Sequence, residues 1–340
     1  MKLVKLRRRR LAAFLTPLAA LGTAAALVMG CGSTASGGTG GKVALVAYST
    51  PQEAYAQLIP AFQKTPAGKG VSFSQSFGAS GDQARAVGSG LPADVVEFSL
   101  APDMDKLVKA GLVDANWAQN RWHGFVTDSV VTLVVRKGNP KGIHDWADLT
   151  EPGVQVVEPN PFTSGSARWN VMAAYGAQIN EGKSQGQANA YLEQLFKHVV
   201  VQDKSARDAM QTFTSGKGDV LIAYENEAIN AQQKGKAVDY VTPKDTILIQ
   251  NPIAVTKGAK PAAQKFVEWL HTDAAQKIFA ERGYRPVVPS LVNKKRFPTP
   301  AGLFTIGDVG GWDQVMTKFF DPDSGSVAKI EQGLGVSTAK

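Results

Sequence analysis

The chain has 340 residues and a mass of 36.1 kDa, more than a single hydrophobic core usually organises, so two domains are expected. With 44% hydrophobic, 19% charged and 8% aromatic residues it is too apolar and too weakly charged for a disordered chain. The formal net charge of +8 would suggest nucleic acid or an anionic membrane, but Lys2, Lys5 and Arg7 to Arg10 concentrate it at the N-terminus. No acid occurs before Cys31, and without the first 30 residues the balance falls to 31 bases against 29 acids. A nucleic-acid partner is therefore not expected.

The basic start is followed by a mostly apolar run from Leu11 to Met29 and then Gly30-Cys31. Residues 1–30 read as a secretion signal. Val28-Met29-Gly30-Cys31 resembles a bacterial lipobox, in which the Cys thiol is diacylated before cleavage, and Cys31 is the only cysteine of the chain. Gly, Ser and Thr dominate residues 32–41, so residues 31–41 read as a lipid-anchored flexible tether. The expected location is the outer face of the bacterial cytoplasmic membrane, with an uncleaved membrane anchor as the alternative. The export route, Sec or twin-arginine, stays open.

From Lys42 short β-branched runs alternate with helical segments, which predicts an α/β protein with largely parallel sheets. Strands are expected at Val43 to Tyr48, Val71 to Ser76 and Ala93 to Ser99, with helices at Pro51 to Lys64, Gly81 to Gly88 and Pro102 to Ala110. Ser129 to Arg136 leaves this first lobe. The second lobe repeats the theme, with strands at Val154 to Glu158, Val199 to Gln202, Asp219 to Tyr224 and Val238 to Val241. Its helices are expected at Ala167 to Ile179, Gln187 to His198, Ala206 to Ser215 and Glu225 to Gln233. Thr246 to Thr256, containing Asn251-Pro252, returns the chain to helices at Lys260 to His271 and Asp273 to Arg282. The expectation is two doubly wound lobes, 42–128 plus 253–340 and 129–252, enclosing a cleft with a hinge beneath it.

Three loops each end a strand and open a helix with small residues: Gly78 to Arg85, Asn160 to Trp169, and Asp203 to Arg207. A helix N-terminus offers unpaired N–H groups and a partial positive charge. Ser and Gly there are also ordinary caps. Three such loops facing one crevice at strand ends point to an anion site.

These segments resemble the sulfate-binding proteins of ABC transporters. The resemblance runs through Gly81-Asp-Gln-Ala-Arg85, Ala93-Asp94-Val95-Val96, Arg136-Lys-Gly-Asn-Pro140, His144-Asp-Trp-Ala-Asp148 and Ser164-Gly165-Ser166-Ala-Arg168-Trp169-Asn170. It continues through Gly218-Asp-Val-Leu-Ile-Ala-Tyr224-Glu-Asn-Glu-Ala228, Tyr284-Arg-Pro286, Phe304-Thr-Ile-Gly-Asp308 and Gly310-Gly-Trp312, in consistent order from Val43 to Trp312. It implies a periplasmic-binding-protein-like fold of type II and capture of a dehydrated anion by neutral donors. On matching positions it implies Ser80 through hydroxyl and amide, Ser164 through its hydroxyl, the amides of Gly165, Ser166 and Ala206, and the phenol of Tyr224. Tyr224 stands where the family usually has Trp, Ser166 where it has Gly, Ser49 where it has Asp and Asp82 where a Lys is common. Ser49, Asp82, Arg85, Arg168 and Arg207 are expected behind or beside the ligand shell.

The implied ligand is sulfate or thiosulfate, with molybdate, tungstate or another tetrahedral oxyanion as the alternative. The implied partners are an ABC permease and ATPase, with the protein a monomer and free of cofactors. Donors alone suit sulfate, which carries no proton near neutral pH, whereas phosphate carries one and needs an acceptor. Catalytic readings find little support. Gly78-Ala-Ser80-Gly-Asp82 lacks the second Gly of a nucleophile elbow, and Gly182-Lys183-Ser184 has Ala177 where a phosphate loop needs Gly. His123, His144, His198 and His271 are scattered without metal-ligand spacing. A secreted ester hydrolase and a purely structural surface lipoprotein remain as rivals.

Overall fold

Residues 41–338 are described by the structure, a computed structural model. The signal segment, Cys31 and the tether up to residue 40 lie outside them. Among the described residues no helix is long and apolar enough to cross a membrane.

The first lobe begins with β1 (Lys42–Tyr48), α1 (Gln52–Gln63), β2 (Ser72–Gly78), α2 (Ser80–Gly88), β3 (Val95–Glu97) and α3 (Ala101–Lys109). β1 pairs in parallel with both β2 and β3, with Leu45 opposite Val95. α1 runs through Pro60 without breaking. Proline leaves the carbonyl four residues earlier without its helical donor, and both Pro60 and Ala56 are solvent-exposed, so that carbonyl lies on the solvated face of the helix.

β4 (Phe125–Arg136) then carries the chain across. The second lobe follows as β5 (Val156–Pro159), α4 (Gly165–Asn180), α5 (Gln185–Lys197), β6 (Val199–Asp203), α6 (Ala206–Thr214), β7 (Val220–Tyr224), α7 (Glu225–Gln233) and β8 (Val238–Val241). β5 pairs in parallel with β6 and β7. The return strand β9 (Asp245–Val255) lies antiparallel to β4, with Ser129 opposite Ile249, and antiparallel to β3, with Val96 opposite Ala254. β4 and β9 are thus the two long strands shared by both lobes, in the order β2-β1-β3-β9-β4-β7-β5-β6. Their near-continuous burial explains why β4 reads SVVTLVVR rather than as an alternating strand.

After β9 come α8 (Pro261–Leu270), α9 (Asp273–Glu281), β10 (Arg285–Pro286), β11 (Gly302–Phe304), α10 (Gly311–Lys318) and α11 (Ser326–Gly333). Phe62, Phe266, Phe279 and Tyr284 join α1, α8 and α9 to β1 in one core, and Phe98, Met104 and Leu107 close the opposite face of that sheet. The last segment departs from the sequence expectation, which grouped residues 253–340 with the first lobe. β11 pairs in parallel with the Asp245–Ile247 end of β9, and Val315, Phe319, Phe320, Val327 and Ala328 join the second lobe's core beside Trp169 and Met172. The close approach is visible at Gly176 of α4, where a Cβ would stand 2.2 Å from the Phe304 ring. α4 is consequently buried on nearly every face, between the sheet and the C-terminal helices.

Candidate functional site

The parallel strands of both lobes end towards each other, and the loops that follow them meet. α2 opens directly after Ala79, which supplies no side-chain cap, so by helix geometry the first N–H groups at Ser80 and Gly81 have no intrahelical acceptor. α4 is capped by Ser164, whose Oγ accepts from the N–H of Ala167 at 3.4 Å. That leaves the N–H groups of Gly165 and Ser166 at its tip. The two first turns approach closely: a Cβ on Gly81 would lie 3.1 Å from the carbonyl oxygen of Thr163. One on Gly165 would lie 2.5 Å from Leu100 Cδ2 and 2.8 Å from Ser99 Cβ. Glycine at 165 therefore lets the second lobe's helix tip rest against the end of β3.

Ser99 links the predicted residues, although the sequence did not single it out. Its N–H donates to Ser80 Oγ at 3.0 Å, its Oγ stands 2.7 Å from Tyr224 Oη, and its carbonyl accepts from Trp169 Nε1 at 2.7 Å and Asn251 Nδ2 at 3.2 Å. Tyr224 is also hydrogen-bonded to Ser166 and Asn251. Burial raises the Tyr224 phenol well above its ordinary range, so it stays protonated. Ser80, Gly165, Ser166 and Tyr224 thus form one buried group around Ser99, with Ser164 adjoining by chain. Ser99 carried one legible signal, its place at the C-terminal end of a strand.

Ala206 opens α6 on a neighbouring stretch of the same crevice. Ser205 caps that helix by accepting from the N–H of Asp208, leaving the Ala206 amide without an intrahelical acceptor. The next residue, Arg207, reaches across to the first lobe, donating to the Ser49 carbonyl at 3.1 Å and to Glu53 at 2.9 Å. Lys234, at the C-terminal cap of α7, also pairs with Glu53. Burial alone would raise the Glu53 carboxyl, but the hydrogen bonds from Arg207 and Lys234 outweigh it and hold the group at about 2. At the rim, Asp82 pairs with Arg85 on its own helix and with Lys204 of the second lobe. Asp82 and Arg85 are both half-buried there, Asp82 lining the crevice with Ser49, Ala79 and Ser205.

Arg168 is buried without entering the group: its Nε donates to the Pro161 carbonyl at 2.8 Å. Its charge acts on Asp103, which accepts from Ser80 Oγ and from Lys106, both at 2.7 Å. Burial would raise the Asp103 carboxyl, but Lys106 and Arg168, with the hydrogen bonds from Lys106 and Ser80, bring it below its ordinary range. Asp103 was also missed from sequence, since a single Asp on an amphipathic helix reads as surface. The arrangement offers helix-tip amides and neutral hydroxyls, with compensating charges one layer behind. That is the chemistry of an anion receptor. Among the described residues no cluster of His, Cys, Asp or Glu could hold a metal ion.

Comparison with known proteins agrees with this architecture. The family model described as bacterial extracellular solute-binding protein matches residues 43–285. The chain belongs to that family. It is 43% identical over 335 residues to a sulfate-binding protein of Synechococcus elongatus, covering 93% of this chain and 95% of the relative. It is 36% identical to a thiosulfate-binding protein of Escherichia coli, covering 80% of this chain and 86% of the relative. Among solved structures it superposes on the sulfate-binding protein SubI from Mycobacterium tuberculosis H37Rv with a TM-score of 0.80 and 44% identity, over 82% of this chain and 99% of SubI. This solute-binding protein has the two-lobed α/β fold expected from its sequence.

Proposed function

We propose that this solute-binding protein captures sulfate, or the closely related thiosulfate, in the crevice around Ser99 and Tyr224 and delivers it to an ABC transporter. The observation that carries the reading is the meeting of the α2 and α4 tips on a group of neutral hydroxyls, with Arg168, Asp103 and Lys106 held behind it. A sulfate there would accept from the amides of Ser80, Gly165, Ser166 and Ala206 and from the hydroxyls of Ser164 and Tyr224. Ser80 Oγ donates its hydrogen bond to the Asp103 carboxylate in this structure, so the hydroxyl contributes only after turning from that carboxylate, whereas the amide, in the first turn of α2, has no intrahelical acceptor. No bond is made or broken in this role. Relatives named for sulfate and for thiosulfate both support a tetrahedral sulfur oxyanion.

The protein acts outside the cytoplasmic membrane as a monomer, held by a lipid on Cys31. A basic leader, a lipobox-like Cys and a Gly/Ser/Thr tether support that placement. A thermal-shift series with sulfate, thiosulfate, molybdate and phosphate tests the ligand. A ligand at 100 times its dissociation constant adds about 2.7 kcal/mol to stability, an upward shift of several degrees. Stabilisation by sulfate or thiosulfate is expected. A response to molybdate alone, or to none of the four, would overturn the assignment.

A further inference from the structure

We propose that the end of the first lobe opposite the crevice is a docking face for an anionic phospholipid surface, and that it sets the protein on the bilayer with its crevice turned away; this deepens the membrane placement proposed above. β1, β2 and β3 are parallel, so their N-terminal ends share one side of the lobe, and the antiparallel β9 ends there too, with Val255 opposite Val95. Lysines crowd this side. Lys42 starts β1, Lys69 precedes β2, and Lys257 follows β9, its N–H donating to the Leu112 carbonyl at 2.7 Å. Lys64 and Lys109 close α1 and α3 there, and Lys260 caps α8 with its Nζ donating to the Lys42 carbonyl at 3.0 Å.

All six lysines are exposed, and among the described residues none is within salt-bridge distance of a carboxylate. Two acids share this side: Asp94, whose Oδ2 accepts from the Ala44 N–H at 2.7 Å, and the exposed Asp114. Lys265 and Glu268, farther along α8, offset each other. With the six lysines and two aspartates set aside, the rest of residues 31–340 carries 25 bases against 27 acids, so the positive charge left after export resides at this end. Leu91 stands in the same place, in the loop before β3, and is 37% exposed; among the described residues only Val200 and Leu334 are comparably bare large hydrophobics. Pro92 beside it lines a shallow cavity of about 350 Å³ with Lys42, Ser74, Asp94 and Lys260. An exposed leucine ringed by ammonium groups suits a headgroup layer, where lysine meets phosphate and leucine the acyl boundary.

The chain itself brings a bilayer to this side. Gly41 enters β1 here, its carbonyl accepting from the Ser72 N–H at 3.0 Å, and Cys31 precedes it by ten residues, at most about 35 Å of chain. A tether of that length holds a weak face at an effective concentration on the order of millimolar, so the lysines need not retain the protein alone. β1 runs seven residues, about 23 Å, from this side to the crevice, so docking leaves the anion group untouched.

Vesicle co-sedimentation of the mature chain, residues 31–340, carrying Cys31→Ser tests the face without a lipid, so a failed anchor and a failed docking face are told apart. At about 20 mM salt the protein should sediment with vesicles containing phosphatidylglycerol and not with phosphatidylcholine alone, and about 0.3 M salt should release it. Lys42→Glu/Lys257→Glu/Lys260→Glu should weaken this binding about a hundredfold, while the same charge change at the exposed Lys217, Lys318 and Lys329 of the second lobe should cost less than about tenfold. Sulfate affinity should be unchanged in both. Because Cys31→Ser removes the only cysteine, Leu91→Cys or Val200→Cys then carries an environment-sensitive dye alone. On phosphatidylglycerol vesicles its emission should shift to the blue at position 91 and not at 200. Equal binding to the two vesicle types, equal losses in the two triple variants, or equal dye shifts at the two positions overturns the proposal. So does a dye response at position 91 to soluble polyglutamate with none to vesicles, which would assign the face to an acidic protein.

Discussion

Tyr224 Oη lies 2.7 Å from Ser99 Oγ, so the residue that opens α7 in the second lobe is bonded to the residue that follows β3 in the first. Both side chains are fully buried, and Gly165 allows them to meet by bringing α4 against the same serine. The contact places a phenol where helix-tip amides converge, and it ties the lobes together through a group of the proposed anion site.

Tyr224→Phe keeps the ring and removes that hydroxyl. Sulfate affinity is expected to fall by about 1.5–3 kcal/mol, the value of a hydrogen bond to a charged group, or roughly 10- to 100-fold. Because Ser99 Oγ loses a buried partner, stability without ligand should also fall, by about 1 kcal/mol. Titration calorimetry and urea unfolding read the two effects separately. Unchanged sulfate affinity would remove Tyr224 from the ligand group.

Gly165→Ala tests closure. The added methyl meets Leu100 and Ser99, which belong to the other lobe, so the second lobe can fold around it while the lobes are held apart. Overpacking of this kind costs about 1–3 kcal/mol. Sulfate binding should weaken by that amount, with the midpoint of ligand-free unfolding little changed. Small-angle scattering in saturating sulfate should show a larger radius of gyration than wild type.

Much of this site is legible in the sequence because it follows local rules. Ser80, Gly165, Ser166 and Ala206 each stand where a strand gives way to a helix, and small residues at such junctions announce exposed amides. Tyr224 follows the same rule. Ser99 shares the strand-end position, but its role as the hub comes from partners 19 and 125 residues away, which no local rule reveals. The C-terminal placement was hidden for a related reason. β11 has three residues, and its parallel pairing with β9 and the fit of Phe304 against Gly176 are long-range facts that no periodicity encodes. Arg207 was expected beside the ligand shell, but its partner Glu53 read as surface charge until the fold set the two side by side.

Cys31→Ser tests the anchor. A diacylated thiol holds a protein on a bilayer far more durably than one acyl chain. The variant is expected to leave the membrane fraction and keep wild-type sulfate affinity, because the anion group is built from residues beyond the tether. Fractionation followed by calorimetry checks both. Normal membrane retention of Cys31→Ser would point to the uncleaved apolar leader as the anchor.

Glu97, at the end of β3, sits fully buried beneath the same crevice, with the Tyr55 hydroxyl donating to its Oε2 and no partner on Oε1 among the described residues. Burial pushes its carboxyl up to about 8, against the pull of that hydrogen bond, so the native state holds a proton that the unfolded chain releases near the ordinary carboxyl range. The stability is fully present below that ordinary range and declines as pH rises to about 8, at up to about 1.4 kcal/mol per unit, then levels off. Glu53 works oppositely: its lowered carboxyl stabilises the fold above the ordinary range, and that contribution is lost as pH falls towards about 2. Glu97→Gln keeps the shape and an acceptor for Tyr55 but cannot ionise. The variant should therefore be no more stable than wild type at pH 5 and more stable at pH 9, with urea midpoints crossing between. If the two curves stay parallel from pH 5 to 9, Glu97 is not the buried acid that limits alkaline stability.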